Sequence, residues 1–331
     1  MRLIEEFKRA WTTFGGVKRE IGWQVIPVTS FKNVGLMAGL AAPGSREAVF
    51  FNFSDAILPR PELLPSGKGF SLEYVEMEGR YWIVLTRSQE GITDLYISML
   101  ENLFKLLDEL HDNSGNSLIQ IFLDRVSAWQ DFMSAGQKHL GIESQTGLYG
   151  ELLFLKAIID FGFKDEAVKN WDGPLRGLQD FHIGFGAVEV KSTVSQDGFI
   201  AKINSLEQLS DSTFSPIFLV GQKLSTSAGG ISLPTLIESI RDGLRDEPAL
   251  KNNFDTRLMR SGYLDAHSSI YDRPLHLIES LMFEIDSQFP KLTPECVSPH
   301  IRSARYEVDI SAIASKKLDM NEILNRLGVN K

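Results

Sequence analysis

A short hairpin in the second half of the chain constrains the fold more than any other feature of the sequence. Two runs of alternating polar and apolar residues flank the turn Gly184-Phe185-Gly186, and this pattern predicts two antiparallel strands with one buried face. Asp180 and His182 share one face of the first strand. Glu189 and Lys191 share one face of the second strand. The pattern therefore predicts that an aspartate, a glutamate and a lysine meet at one position of a sheet.

A helix predicted just before this hairpin carries a carboxylate where an apolar side chain is expected. Glu151 shares one face of this helix with four apolar residues, namely Leu148, Phe154, Leu155 and Ile158. A buried carboxylate is costly unless it is paired, hydrogen-bonded or bound to a metal. Two interpretations stay open from the residues alone. Glu151 lies at the rim of the stripe and reaches solvent or an arginine, or it belongs to a site shared with the hairpin.

The overall composition limits the class of protein. Of the 331 residues, 43% are hydrophobic and 23% are charged, which is ordinary for a folded globular chain and excludes wholesale disorder. The net charge of −9 argues against a protein that coats nucleic acid non-specifically, so any such contact needs a local patch or a metal ion. The lone cysteine, Cys296, excludes an internal disulfide and a Cys/His zinc site.

The pattern along the chain predicts two domains and an α/β fold. Short β-branched and aromatic runs separated by turns extend from Gly22 to Leu85 and predict a small, mainly antiparallel sheet. Apolar residues then recur every three to four positions, which predicts helices. We expect an N-terminal α+β domain over residues 1–115, with a DNA-binding or partner-binding role. Residues 116–331 form the second domain, which carries the hairpin and a C-terminal extension.

The sequence predicts a cytoplasmic protein. A membrane-spanning helix needs about 20 consecutive apolar residues, and we find no such segment and no membrane contact. The segment Met1–Trp11 mixes acidic and basic residues on an amphipathic pattern, unlike the uninterrupted apolar core of a signal peptide. A single cysteine also suits a reducing compartment.

The ordered set of a helix glutamate, a strand aspartate and a Glu-x-Lys on the next strand resembles the PD-(D/E)XK nuclease superfamily. The phrases Gly-Leu-Tyr-Gly-Glu-Leu-Leu-Phe-Leu and Val-Glu-Val-Lys-Ser-Thr are similar to a PD-(D/E)XK family encoded in bacterial restriction–modification clusters. The likeness is close over roughly residues 140 to 225. Gln179 stands where the superfamily motif has its proline. The resemblance implies a restriction-endonuclease-like core, in which helices flank a mixed central sheet.

The resemblance also implies a role for each residue of the set. Asp180 and Glu189 would bind Mg²⁺ or Mn²⁺, together with the carbonyl of Val190. These oxygen ligands suit such ions. Lys191 would orient the attacking water and help to hold it as hydroxide. Glu151 would bind a metal-bound water or a second metal.

Three further residues are accessory candidates. The superfamily begins its next helix near Ile203, and Gln208 is the polar residue that we expect near the site. His182 lies on the site face and could shuttle a proton or contact phosphate, although a structural histidine is the commoner case. Ser192 is a candidate phosphate contact, with a structural role as its alternative.

The implied activity is metal-dependent endonucleolytic hydrolysis of DNA in a restriction or phage-defence system. Its implied partners are a DNA methyltransferase and an ATPase from the same gene cluster, and a double-strand cut favours a homodimer or repeated nicking. The segment Ser66-Gly67-Lys68-Gly69 is not a phosphate-binding loop, so the chain should not hydrolyse ATP by itself. Two alternatives stay open: an inactive scaffold that binds DNA or a partner subunit, and a nuclease that acts on RNA or in DNA repair.

Overall fold

The computed structural model describes residues 2–14, 21–136, 139–314 and 317–329. The chain divides into two compact units, Met1–Lys138 and His139–Lys331. This division lies about one helix after the boundary predicted near residue 115. The reason is that the helix Gly115–Ser134 belongs to the first unit, where its Phe122 packs on Phe51 with ring centroids 4.7 Å apart.

The secondary structure alternates between sheets and helices in both units. The helices are α1 (Arg2–Thr13), α2 (Thr93–Glu109), α3 (Gly115–Ser134), α4 (Ile142–Asp160), α5 (Lys164–Lys169), α6 (Leu233–Gly243), α7 (Pro248–Arg260) and α8 (Met320–Arg326). The strands are β1 (Gly22–Pro27), β2 (Val34–Ala42), β3 (Arg46–Phe53), β4 (Phe70–Met77), β5 (Arg80–Arg87), β6 (Phe181–Ile183), β7 (Gly186–Thr193), β8 (Ile200–Ile203), β9 (Ile217–Ile231), β10 (Leu275–Glu284) and β11 (Tyr306–Asp309).

The first unit is an antiparallel sheet with helices packed on one face. Its strand order is β1-β2-β3-β5-β4, and every neighbouring pair is antiparallel, which confirms the predicted antiparallel sheet. Phe51 of β3 packs against Phe104 of α2 and against α3, and Phe104 stacks on Phe7 of α1. The other face carries Phe50 between Trp23 and Trp82.

The second unit is built on a mixed four-stranded sheet of order β10-β9-β7-β6. Strands β7 and β9 are parallel, and the other two pairs are antiparallel. Helices α4 to α8 cover one face, where Leu152 of α4, Ala167 of α5, Ile237 of α6, Phe254 of α7 and Ile323 of α8 share a core with Val188 and Val220. This arrangement confirms the predicted mixed central sheet.

The second face of this sheet is covered by a smaller sheet. The two-stranded sheet of β8 and β11 packs there. Its residues Ala201 and Val308, together with the neighbouring Phe199, form a core with Leu219 of β9. The segment 200–203 alternates between exposed and buried residues, so it pairs as a strand. The helix expected to begin near Ile203 is replaced by a single 3-10 turn, Glu207–Leu209.

Within the residues that the structure describes, no helix is long and apolar enough to cross a lipid bilayer.

Arg241 anchors the helical layer of the second unit, and its loss should destabilise the fold. Its guanidinium donates to Asp255 of α7 at 2.8 Å and to both carboxylate oxygens of Asp265 at 2.9 and 3.0 Å. Truncation leaves Asp255 without this cation, and breaking such a pair costs about 3 kcal/mol. We expect Arg241→Ala to lower the calorimetric transition temperature by several degrees. Arg245→Ala, which removes an exposed pair with Asp242, should change it little. Equal effects would contradict this role.

Candidate active site

The predicted hairpin is present and sets the geometry of the site. Strands β6 and β7 pair antiparallel with His182 opposite Ala187, and the chain turns at Gly184, whose φ is +55°. The ladder ends where Phe181 meets Val188. Beyond it, the Val190 amide donates to Asp180 Oδ2 at 2.8 Å. The aspartate therefore takes the place of a strand partner, and this contact fixes its carboxylate beside β7.

Glu189 lies at the centre of the site and is 2% exposed. Its Oε1 accepts from Lys191 Nζ at 2.6 Å and from Gln208 Nε2 at 2.5 Å. Its Oε2 is buried and has no hydrogen-bond partner among the described residues. A buried carboxylate oxygen without a partner is costly, so this atom is a candidate ligand for a cation. The structure thus brings Gln208 to the site, from a 3-10 turn instead of the expected helix.

Glu151 approaches the same site from α4. The four apolar residues that share its helix face are buried, whereas Glu151 itself is half-buried. Its Oε2 accepts from Trp171 Nε1 at 2.8 Å. A Cβ atom added to Gly173 would lie 2.6 Å from Glu151 Oε2 and 3.0 Å from Asp180 Oδ1. The two carboxylates therefore face the same small space, which is open because residue 173 is glycine.

Burial and mutual repulsion hold the pKa values of these acids above their ordinary range. Burial, followed by the Asp180 charge, raises the pKa of Glu189 to about 8 even though Lys191 opposes the shift. Burial and Asp180 also raise the pKa of Glu151 well above 4.5. The pKa of Asp180 is raised by burial, against the Val190 amide and Lys191. Burial lowers the pKa of Lys191, but the surrounding acids outweigh it, so the lysine stays protonated.

Comparison with protein families identifies the chain. The family model described as "Putative PD-(D/E)XK family member, (DUF4420)" matches residues 7–311. The chain belongs to this family. The resemblance to PD-(D/E)XK proteins is thereby confirmed, and DUF4420 membership supports a nuclease-like function for the chain. No curated protein and no solved structure matches it.

The donor set of this DUF4420 chain fits a divalent cation bound by few protein groups. PD-(D/E)XK nucleases generally use divalent metals. Among the described residues, no three His, Cys, Asp or Glu side chains lie close enough together to hold one ion. Mg²⁺ is commonly held by one or two carboxylates with water completing the shell. Asp180 and the unpartnered Oε2 of Glu189 meet that smaller requirement, and both are oxygen donors.

His182 and Ser192, two of the accessory candidates, are turned away from the carboxylates. His182 Nδ1 lies 2.6 Å from Asp172 Oδ2, its Nε2 lies 3.2 Å from Gln179 Oε1, and its ring stacks on Phe214. These contacts favour the structural role over the proton shuttle. Ser192 Oγ is buried, and a Cβ on Gly150 of α4 would lie 1.7 Å from it. Strand alternation places Ser192 under the helix, which favours the structural role over the phosphate contact.

Sequence reasoning missed the loop residues that hold the acids in place. The Asp172 amide donates to the Asp180 carbonyl at 2.7 Å, and Arg257 binds both the Trp171 carbonyl and the Asp172 carboxylate. Gln179, which is 2% exposed, donates to the Gln208 carbonyl at 3.1 Å. Gln179 is a polar residue at the position where the superfamily motif has a proline, and this difference was a signal that it has a role near Asp180. The spacing of Trp171 and Glu151 in the sequence does not predict the hydrogen bond between them.

Gly173 offers a test of the shared space between Glu151 and Asp180. We expect Gly173→Ala to fold, because the new methyl group meets the ends of side chains. It should displace the two carboxylates and weaken Mn²⁺ binding about tenfold, since ligand geometry sets metal affinity. Isothermal titration calorimetry measures the affinity. Gly229→Ala is the control, because a Cβ there meets no atom within 4 Å. Unchanged affinity in Gly173→Ala would contradict the shared space.

Proposed function

We propose that this chain is a metal-dependent endonuclease that hydrolyses DNA phosphodiester bonds with Mg²⁺ or Mn²⁺. The observation that carries the proposal is the meeting of Asp180, Glu189 and Lys191 at the end of the β6–β7 ladder. The Lys191 ammonium lies 2.6 Å from Glu189, and the other oxygen of Glu189 is left for a cation. DUF4420 membership supports the same class of activity.

The proposed reaction is the attack of a water molecule on phosphorus. One P–O bond forms, the P–O bond to one sugar oxygen breaks, and the leaving sugar oxygen takes up a proton from solvent. A bound divalent ion would lower the pKa of this water and neutralise charge on the phosphoryl oxygens. Asp180 and Glu189 would hold the ion, together with the carbonyl of Val190. Lys191 would donate to the attacking water and stabilise its hydroxide form. Glu151 would hold a metal-bound water or a second ion, oriented by its hydrogen bond from Trp171.

The protonated side chain of Lys191 supports a phosphate substrate in spite of the net charge of −9, because it places a cation within the acidic cluster. A buried lysine inside a cluster of three acids keeps its proton, so it supplies a fixed cation where the phosphate would lie. A metal ion held by Asp180 and Glu189 would supply the remaining positive charge. The chain therefore needs no broad basic surface at the site of cleavage.

The proposed setting is the bacterial cytoplasm, with the chain as the nuclease subunit of a restriction or phage-defence system. A DNA methyltransferase and an ATPase from the same gene cluster are the proposed partners. A homodimer would provide two sites for a double-strand cut.

The first experiment titrates Mn²⁺ into the wild type and into Asp180→Asn by calorimetry, with and without a short DNA duplex. Asparagine keeps an oxygen acceptor for the Val190 amide, so this variant should fold. We expect binding in the wild type and its loss in Asp180→Asn, with Lys202→Met, at an exposed lysine of β8, as a folded control. Supercoiled plasmid and an RNA of matched length then test cleavage. Equal Mn²⁺ binding in the wild type and Asp180→Asn would contradict the proposal.

A further inference from the structure

A pocket that Glu151 helps to line adjoins the candidate active site. Its volume is about 340 Å³. Its lining combines the first turns of α4, the 173–176 turn and the end of α7, and it includes Ser144, Gly147, Glu151, Gly173, Arg176 and Arg260. Asp180, Glu189 and Lys191 do not line it. The pocket is therefore a neighbour of the proposed site of cleavage and shares only Glu151 with the acidic cluster.

Two arginines give this pocket its chemistry. Arg176 is exposed, and its side chain makes no hydrogen bond or ion pair with the other described residues. Its backbone is left-handed, with φ of +59°, directly after the 3-10 turn Gly173–Leu175. Arg260 stands at the last position of α7, on the same pocket. Guanidinium groups bind phosphate oxygens through paired hydrogen bonds, which makes them the common choice for this ligand.

We propose that this pocket binds a backbone phosphate of the nucleic-acid substrate, next to the phosphate that is cleaved. The inference rests on the proposed function and adds a substrate-binding subsite to it. Arg176 and Arg260 would contact the phosphate oxygens, and the Ser144 hydroxyl could add a donor. The carboxylate of Glu151 repels an anion from the inner end of the pocket, so the phosphate lies at the arginine rim. Gly147 leaves open space there, because a Cβ at this position meets no atom within 4 Å.

The test measures DNA binding separately from cleavage. A short fluorescein-labelled duplex is titrated with the full chain without divalent metal, and anisotropy gives the affinity at several salt concentrations. Each phosphate contact adds about 0.9 to the slope of log affinity against log salt. We expect Arg176→Gln to lower this slope by about one and to weaken binding about tenfold. Arg176→Lys should retain most of the binding, and Arg245→Gln, an exposed arginine on α6's C-terminal side, should bind like the wild type.

The outcomes separate this subsite from the proposed function. If Arg176→Gln binds DNA like Arg245→Gln, the subsite is overturned, whereas Mg²⁺-dependent cleavage by the wild type would still support the nuclease. If Arg176→Gln loses affinity but the wild type never cleaves, the proposed hydrolysis fails and the subsite stands. In an active enzyme, Arg176→Gln should raise KM about tenfold with kcat little changed, since a flanking contact binds substrate and transition state alike. No DNA binding by the wild type would overturn the subsite directly.

Discussion

Replacing Lys191 by methionine should lower metal-dependent DNA cleavage by roughly 10³-fold, because general acid–base groups and preformed charges each contribute 10²–10⁴. Methionine fills similar space without the charge, so the fold should persist. The lysine is 16% exposed and lies 2.6 Å from Glu189, close to where the attacking water would bind. Initial rates of plasmid nicking in Mg²⁺ measure the effect.

The lysine also supports its neighbours, so the experiment must separate two effects. Lys191 lowers the pKa of Glu189, and its removal should therefore raise that pKa and weaken metal binding near neutral pH. Rates at saturating Mg²⁺ and at a pH above 8 isolate the loss of catalysis. Lys202→Met, an exposed lysine on β8, serves as the matched control. Cleavage by Lys191→Met within a few-fold of the wild type would contradict a catalytic role.

The sequence predicted the parts of the fold that depend on local alternation. The hairpin, its turn and the face shared by Asp180 and Glu189 follow from a period of two, which a strand must obey if one face is buried. The apolar stripe around Glu151 likewise follows from helix periodicity. These local rules were enough to place four side chains in order, and the structure brings those four together.

The remaining differences arise from contacts between segments distant in the chain. Helix α3 has an ordinary helical pattern, and tertiary packing, such as that of Phe122 on Phe51, assigns it to the first unit. The short segment 200–203 pairs with β11 about a hundred residues later, and no local pattern predicts this partner. Trp171 donates to Glu151 across a sequence separation of 20 residues, which includes the end of α4 and all of α5. Such pairings depend on tertiary packing, which overrides local propensity.

The acidic cluster lowers the unfolding free energy of the metal-free chain. This destabilisation indicates a functional site. Three acids and one lysine share a buried space, so the charges are not balanced. A buried oxygen without a hydrogen-bond partner, such as Glu189 Oε2, destabilises a core that has only a structural role. A bound cation would remove both costs at once.

This imbalance predicts that the metal-free chain loses stability as the pH rises from 6 to 9. Burial raises the pKa of Glu189 from 4.5 to about 8, so in this window the folded state holds a proton that the unfolded state has released. The unfolding free energy therefore falls with rising pH, by roughly 2.5 kcal/mol. Differential scanning calorimetry should show a decrease of about 5–10 °C in the transition temperature of the second unit.

The proton on Glu189 also couples metal binding to pH. The pH dependence of Mn²⁺ affinity therefore checks the pH dependence of stability independently. Mn²⁺ must displace the proton of Glu189 below pH 8, so its affinity should rise up to tenfold per pH unit between 6 and 8. Calorimetry in buffers of different ionisation enthalpy should detect about one proton released per ion. Glu189→Gln keeps an oxygen acceptor for Lys191 and should flatten the stability profile, whereas Glu143→Gln, exposed on α4, should retain it. A wild-type transition temperature that stays level or rises over this range would show that Glu189 is already ionised at pH 6.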